Sequence, residues 1–144
     1  IDLMRHLIGF RISSYDAIKM GTNKYDQVTD DKATVTLNFE DGSFGSIHYF
    51  ANGGKTFQKE RIEVFCDGAV LQLNNFRQLK GFGWKSFRKM NLWRQDKGQV
   101  LCAKAFMDAV KKGMNNPIPQ AEIFEVARVS VDIAELLKGM NKIF

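Results

Sequence analysis

Between residues 33 and 73 the chain alternates apolar and polar side chains, and twice it breaks the alternation with Asp-Gly. Ala33, Val35, Leu37 and Phe39 stand between Thr34, Thr36 and Asn38, so a strand here buries one face and wets the other. Asp41-Gly42 is a tight hairpin signal, and Phe44–Phe50 is the returning strand. Arg61–Phe65 and then Ala69, Leu71 and Leu73 repeat the arrangement around Asp67-Gly68. Links this short lead to antiparallel pairing. A further strand is expected over Phe10–Met20, followed by a polar loop over 21–31. Shorter strands are expected over Phe76–Phe82 and Phe87–Trp93.

The period then changes. Val100, Ala103, Met107 and Val110 recur at helical spacing, and Gly113 is placed to stop that helix. Asn115-Asn116-Pro117-Ile118-Pro119 is a rigid link, with Pro119 suited to open the next helix. Ile123, Ala127, Ser130, Ala134 and Leu137 give its apolar stripe, Glu122 and Glu125 suit its N-terminal dipole, and Gly139 ends it. Residues 1–8 place Leu3, Leu7 and Ile8 together and stop at Gly9, like the end of a helix whose beginning is missing. Strands followed by helices imply an α+β domain over residues 1–144: a mostly antiparallel open sheet with helices on one face. The other face must be solvated or paired.

With 144 residues, 44% hydrophobic and 26% charged, the composition is that of one ordinary globular domain. No apolar run approaches the ~20 residues of a membrane span, and no signal segment opens the chain. It starts at Ile1 inside an amphipathic pattern, as if taken from something longer. Cys66 and Cys102 have apolar neighbours and read as buried free thiols of a reducing cytoplasm. The net charge of +5 is concentrated: from Lys55 to Lys97 there are ten basic residues against four acidic ones. Such a stretch is either a solvated sheet face or a surface that meets anions.

Motifs that carry chemistry are sparse. Gly54-Lys55-Thr56 resembles the end of a phosphate loop, but Tyr49 stands where that loop needs its first glycine, and a strand follows instead of a helix. Gly81-Phe82-Gly83 lacks the third glycine of a dinucleotide fingerprint. His6 and His48 have no Asp, Ser or Cys at a useful spacing, and no metal-ligand spacing occurs.

Three stretches in order carry a family resemblance: "IDLMRHLIG", "VTLNFEDGSFGSIHYFANGGKTFQKERIEVFCDGAVLQLNNF" and "AFMDAVKKGMNNPIPQAEIFEVARVSVDIAELL". Over nearly the whole chain the sequence resembles the C-terminal domain of the Gfo/Idh/MocA oxidoreductases, a dihydrodipicolinate-reductase-like fold. "NGGKTFQKERIEVF" and "LWRQDKG" resemble a subgroup associated with bacterial surface-polysaccharide clusters. The resemblance implies a parent enzyme whose N-terminal Rossmann domain, absent from this chain, binds NAD or NADP. It implies a catalytic Asp and His just upstream of Ile1, so that no catalytic residue lies in this chain and His6 is not that His. It further implies a sugar, cyclitol or nucleotide-sugar substrate, a subunit interface on the open sheet face, and a fragment that is inactive and binds no cofactor alone. Asn52, Lys55 and Arg61, in loops beside the implied cleft, are candidate substrate contacts through hydroxyls or a phosphate. Arg94 beside Trp93 is either a stacked guanidinium or a packed strand residue.

Two other classes stay open from the residues alone. One is a nucleic-acid-binding module using the basic strands 55–97 with Phe76, Phe82, Trp84 and Trp93 interleaved. The other is a purely structural dimerisation domain.

Overall fold

A computed structural model describes residues 1–20 and 31–139. The expected polar loop over 21–31 lies outside the described residues except for Asp31. The elements run α1 (Asp2–Ile8), β1 (Ile12–Lys19), β2 (Lys32–Phe39), β3 (Phe44–Phe50), β4 (Arg61–Cys66), β5 (Ala69–Asn74), β6 (Gln78–Phe82), β7 (Lys89–Asn91), α2 (Gln99–Lys112) and α3 (Gln120–Gly139). The α+β class and the antiparallel pairing are as the alternation implies. The strands form two open sheets, β1-β2-β3 and β4-β5-β6-β7. The chain divides into two compact units, residues 1–53 with 116 onward, and residues 54–115.

In the first unit, Val35 and Leu37 of β2 stand opposite Ala17 and Tyr15 of β1 and Ile47 and Gly45 of β3. This face forms the core. Leu37 is fully buried, Phe39 and Ala17 nearly so, and Val129 and Ile133 of α3 pack into the same cluster. Thr34, Thr36 and Asn38 occupy the other face, as the alternation requires. Glu40-Asp41-Gly42 makes a three-residue hairpin loop closed by the Phe39 N–H to Ser43 O bond, with Gly42 left-handed at φ 85°. The Asp41 carboxylate accepts from the Ser43 N–H and hydroxyl.

α3 is rotated from the expected stripe. Val129 and Ile133 point inward, whereas Ile123, Ala127, Ser130 and Ala134 are exposed and Leu137 alone of the expected stripe packs against the core. The inward row continues through Glu125 and Glu122, whose side chains are only 10% and 13% exposed. A purely apolar stripe misses this face because ions form part of it. Arg5 of α1, 8% exposed, supplies the counter-charge. Its Nε donates to Glu125 Oε2 at 3.2 Å, and its Nη1 lies 3.7 Å from Glu122 Oε2. Glu125 Oε1 also accepts the Ile12 N–H, which ties β1 to the same carboxylate.

The second unit is a four-stranded meander followed by α2. Asp67 and Gly68 both adopt positive φ, 47° and 72°, the geometry of a type I′ hairpin. That turn fixes the β4–β5 register from Cys66 opposite Ala69 to Arg61 opposite Asn74. Ile62, Val64, Leu71, Leu73, Leu79 and Met90 share one half-buried face. Phe87 and Trp84 come in close over Gly81 on this side, where any Cβ would lie 2.7 Å from the Phe87 ring. β7 is shorter than the expected Phe87–Trp93, and Trp93 and Arg94 lie beyond it, exposed; Arg94 is therefore not a packed strand residue.

Two further packing expectations are corrected. The stripe on α2 is exposed: Val100 by 81% and Val110 by 62%, while Ala109 is the buried residue. Leu101 and Phe106 are apolar too, so apolar side chains surround this helix and their spacing does not single out the covered face. Cys66 and Cys102 are free but exposed. Their apolar neighbours Phe65 and Leu101 are themselves exposed, so apolar sequence neighbours did not signal a core there.

Candidate functional site

The β4–β5 register places Arg61 and Asn74 side by side on the polar face of the second sheet. The preceding loop folds over this end. Gly54 O accepts the Phe57 N–H at 3.0 Å, so Gly54-Lys55-Thr56-Phe57 is a β-turn and not a phosphate loop. Thr56, Phe57, Gln58, Arg61 and Asn74 line a half-open surface pocket of about 210 Å³.

The strand ends beside it are held by two segments, the start of β4 and residues 95–97. Glu60 O accepts the Asn75 N–H at 2.6 Å, which pins the start of β4 to the end of β5. Asn75 and Phe76 both sit at φ 49°, a conformation that costs a bulky residue such as Phe. The segment after β7 stabilises that turn: Gln95 donates to Asn75 O and Oδ1, and the Asp96 N–H donates to Phe76 O. Lys97 pairs with Glu60 and places its ammonium 5.8 Å from the Phe76 ring centre.

Arg61 is not a bare cation. Its Nε and Nη2 donate to Glu63 Oε1 at 3.1 and 2.5 Å. The same oxygen accepts from Gln72 Nε2 at 2.8 Å. The bonds from Arg61 and Gln72 hold the Glu63 carboxyl below its ordinary value near 4.5, so it is ionised at neutral pH. Farther along the same face Lys80 stands opposite Lys89.

Of the residues expected to contact a substrate, only Arg61 lines this cavity. Lys55 is exposed within the covering turn, Arg94 is exposed after β7, and Asn52 belongs to the first unit. Asn74, Gln58, Thr56 and Phe57 were not singled out from the sequence. Asn74 was within reach of it, because counting back from a two-residue Asp67-Gly68 turn pairs position 74 with 61. His48 shares a hydrogen bond of 3.0 Å with the Thr34 hydroxyl and stacks on Phe50, and His6 is exposed on α1. Among the described residues no group of three His, Cys, Asp or Glu side chains could hold a metal ion, and no helix is long and apolar enough to cross a membrane.

No family model matches the chain, and no curated relative does. Its fold is similar to a portion of one solved structure. A solved structure, that of the WlbA dehydrogenase from Bordetella pertussis in complex with NADH and UDP-GlcNAcA, superposes with a TM-score of 0.55 at 15% identity. The match covers 96% of this chain and 40% of that one.

Proposed function

We propose that this chain is the C-terminal substrate and oligomerisation domain of an NAD(P)-dependent oxidoreductase of the Gfo/Idh/MocA type. The substrate class is a sugar, cyclitol or nucleotide sugar. The observation that carries the reading is the fold shared along 96% of the chain with a 40% portion of a dehydrogenase whose structure holds NADH and a UDP-sugar.

The described residues do not fit a nicotinamide dinucleotide. Such a site needs parallel strands, a glycine-rich turn and a helix N-terminus at the pyrophosphate, and both sheets here are antiparallel. The cofactor and the catalytic Asp and His then belong to other parts of the parent protein. This chain contributes one wall of the cleft, where Arg61 orients a substrate hydroxyl for near-attack geometry and Lys55 and Arg94 are further candidate donors. The exposed side of the first sheet, with Phe44 73%, Ile18 66% and Phe50 50% exposed, supports a subunit interface. The setting is cytoplasmic.

The test is titration of the full-length protein with NADH and NADPH, read by nicotinamide fluorescence. Binding of either is expected, and binding of neither overturns the reading. Residues 1–144 alone are expected to turn over no sugar. One observation favours a second reading, a nucleic-acid surface: Lys80 faces Lys89 directly, a like-charge pair that an anion would relieve. No shift of labelled single-stranded DNA at low salt removes it.

A further inference from the structure

We infer that the polar face of the second sheet is a platform for a single-stranded nucleic acid, with Phe65 and Phe82 stacking its bases and Lys80 and Lys89 meeting its phosphates. This deepens the nucleic-acid reading and rests on it, and it neither needs nor excludes the oxidoreductase activity.

Charge is divided unequally between the two units. Residues 54–115 hold thirteen Lys and Arg against five Asp and Glu, a net +8. The remaining residues hold eight against eleven, a net −3, which together give the +5 of the whole chain. A separation this large directs polyanions to one unit. Within that unit the sheet register says where. Arg61 is paired with Glu63, and Lys97 with Glu60, so those cations are neutralised locally. Lys80 and Lys89 stand opposite each other, are exposed, and belong to none of the ion pairs among the described residues. Glu63 shares their row but lies two strands from Lys80, bound to Arg61 and Gln72. Two facing ammonium groups destabilise a free sheet, and an anion laid between them relieves it.

Aromatic rings sit beside that charge. Phe65, Val70 and Phe82 form one row across the same face, and Lys80 and Lys89 lie in the next. Phe65 is 74% exposed and Phe82 52%, on the side that a water-facing sheet keeps polar. Two strand spacings, about 10 Å, separate the rings, and the lysine row is about 7 Å farther along the strands. Sheet-based RNA-binding domains stack two or three unpaired bases on exposed aromatics of an open four-stranded sheet. The second sheet has four strands and two such rings. A duplex keeps its bases stacked inside and offers these rings nothing.

A third row separates a nucleic acid from a lipid surface. Asn74, Gln78 and Asn91 present their amides in register across the face. Against acyl chains these groups would lose water and gain no partner. Base edges carry both donors and acceptors, and so use both halves of an amide. The platform is also fixed before binding. The 83–88 loop packs on the Asp67-Gly68 turn, so closely that a Cβ on Gly83 would lie 2.8 Å from Gly68 O. The Gly81 N–H donates to Arg88 O, and Trp84 Nε1 donates to Val70 O. These contacts hold the strand ends that carry Val70 and Phe82, which lowers the ordering cost of binding.

The experiment is fluorescence anisotropy of the 144-residue chain with labelled oligothymidylate of about twelve nucleotides, at low and then rising salt. The chain is tested in parallel against a duplex of equal length and, by sedimentation, against vesicles of phosphatidylserine and phosphatidylcholine in equal parts. The single strand is expected to bind about tenfold tighter than the duplex or better. Phe65→Ala and Phe82→Ala, at exposed positions, should each weaken it about five- to hundredfold. Lys80→Gln combined with Lys89→Gln should make the salt slope shallower by about 1.4. Equal or tighter binding of the duplex overturns the inference. If the lysine variant weakens binding and the phenylalanine variants do not, the inference is overturned and the coarser nucleic-acid reading stands. No anisotropy change at low salt overturns both. Vesicle binding without oligonucleotide binding assigns the face to lipid. A dimer in light scattering that Phe65→Ala dissociates, again without oligonucleotide binding, assigns it to a second copy. Either result overturns the inference. Nicotinamide binding by the full-length protein is untouched by all of these outcomes, so the oxidoreductase reading stands or falls separately.

Discussion

Replacing Arg5 with methionine is expected to remove most of the stability of the first unit. Arg5 serves two carboxylates at once, Glu125 at 3.2 Å and Glu122 at 3.7 Å, and all three side chains are about nine-tenths buried. With an effective dielectric of about 20, each contact is worth roughly 4–5 kcal/mol of gross attraction. Desolvation offsets much of that, so the intact cluster adds little net stability. Removing only the cation is different, because the carboxylates remain desolvated and now face each other. The cost of stranding a buried charge is about 3–5 kcal/mol. Urea unfolding followed by far-UV circular dichroism measures it. For a slope of about 2 kcal/mol per molar, the midpoint should fall by roughly 1.5–2.5 M. Glu125→Gln retains an acceptor for the Ile12 N–H and leaves Glu122 to balance Arg5, so it should cost far less. The double variant should be more stable than the two single effects combined would give. A loss below about 1 kcal/mol for Arg5→Met would refute the reasoning, since that is the range of a solvated surface pair.

Other expectations concern single sites. Leu37→Ala should cost about 2–5 kcal/mol, as a fully buried core residue, whereas Val131→Ala, at 57% exposure on α3, should change the urea midpoint little. Gly83→Ala should destabilise by about 1–3 kcal/mol, because φ is 76° and the new Cβ would meet Gly68 O at 2.8 Å. Gly45→Ala meets only the mobile end of Met4 at 2.0 Å, so a rotamer change should absorb it, which a thermal melt can compare directly. Glu63 should titrate below 4.5 by carboxyl NMR and move up toward that value in Arg61→Ala. Because its folded pKa is depressed, the stability it contributes is present above the unfolded pKa and fades as pH falls through the folded one.

Strands whose residues alternate, with Asp-Gly between them, were legible because side-chain period and turn chemistry are local properties. β2, β3, β4 and β5 fall where the pattern puts them. Which side of a helix is covered is not local. α3 turns Glu122 and Glu125 inward because Arg5, 117 to 120 residues away in the chain, balances them, and no stripe of apolar letters contains that information. The exposed thiols teach the same lesson: Cys66 follows an apolar run that lies at a hairpin end rather than in a core. The candidate site was partly visible. Arg61, the first residue of β4, could be named from the family resemblance, and Asn74 follows from the turn register. Phe57, Gln58 and Thr56 depend on how the 54–57 turn folds back, which no periodicity encodes.

The first unit is discontinuous: residues 1–53 are completed only by the segment from 116 onward, with 54–115 inserted between. During synthesis the inserted unit has all its own residues before the first unit has α3. From residue 53 to 139 is 86 residues, or roughly 4–17 s at about 5–20 residues per second. For that interval the nascent β1–β3 sheet carries Val35, Leu37 and Phe39 without the helix that covers them. The Arg5–Glu125 contact, spanning 120 residues, cannot close until α3 has been made. A ribosome pause before α3, or a truncation that removes it, should therefore leave a chain that chaperones hold, even though the inserted sheet has already formed.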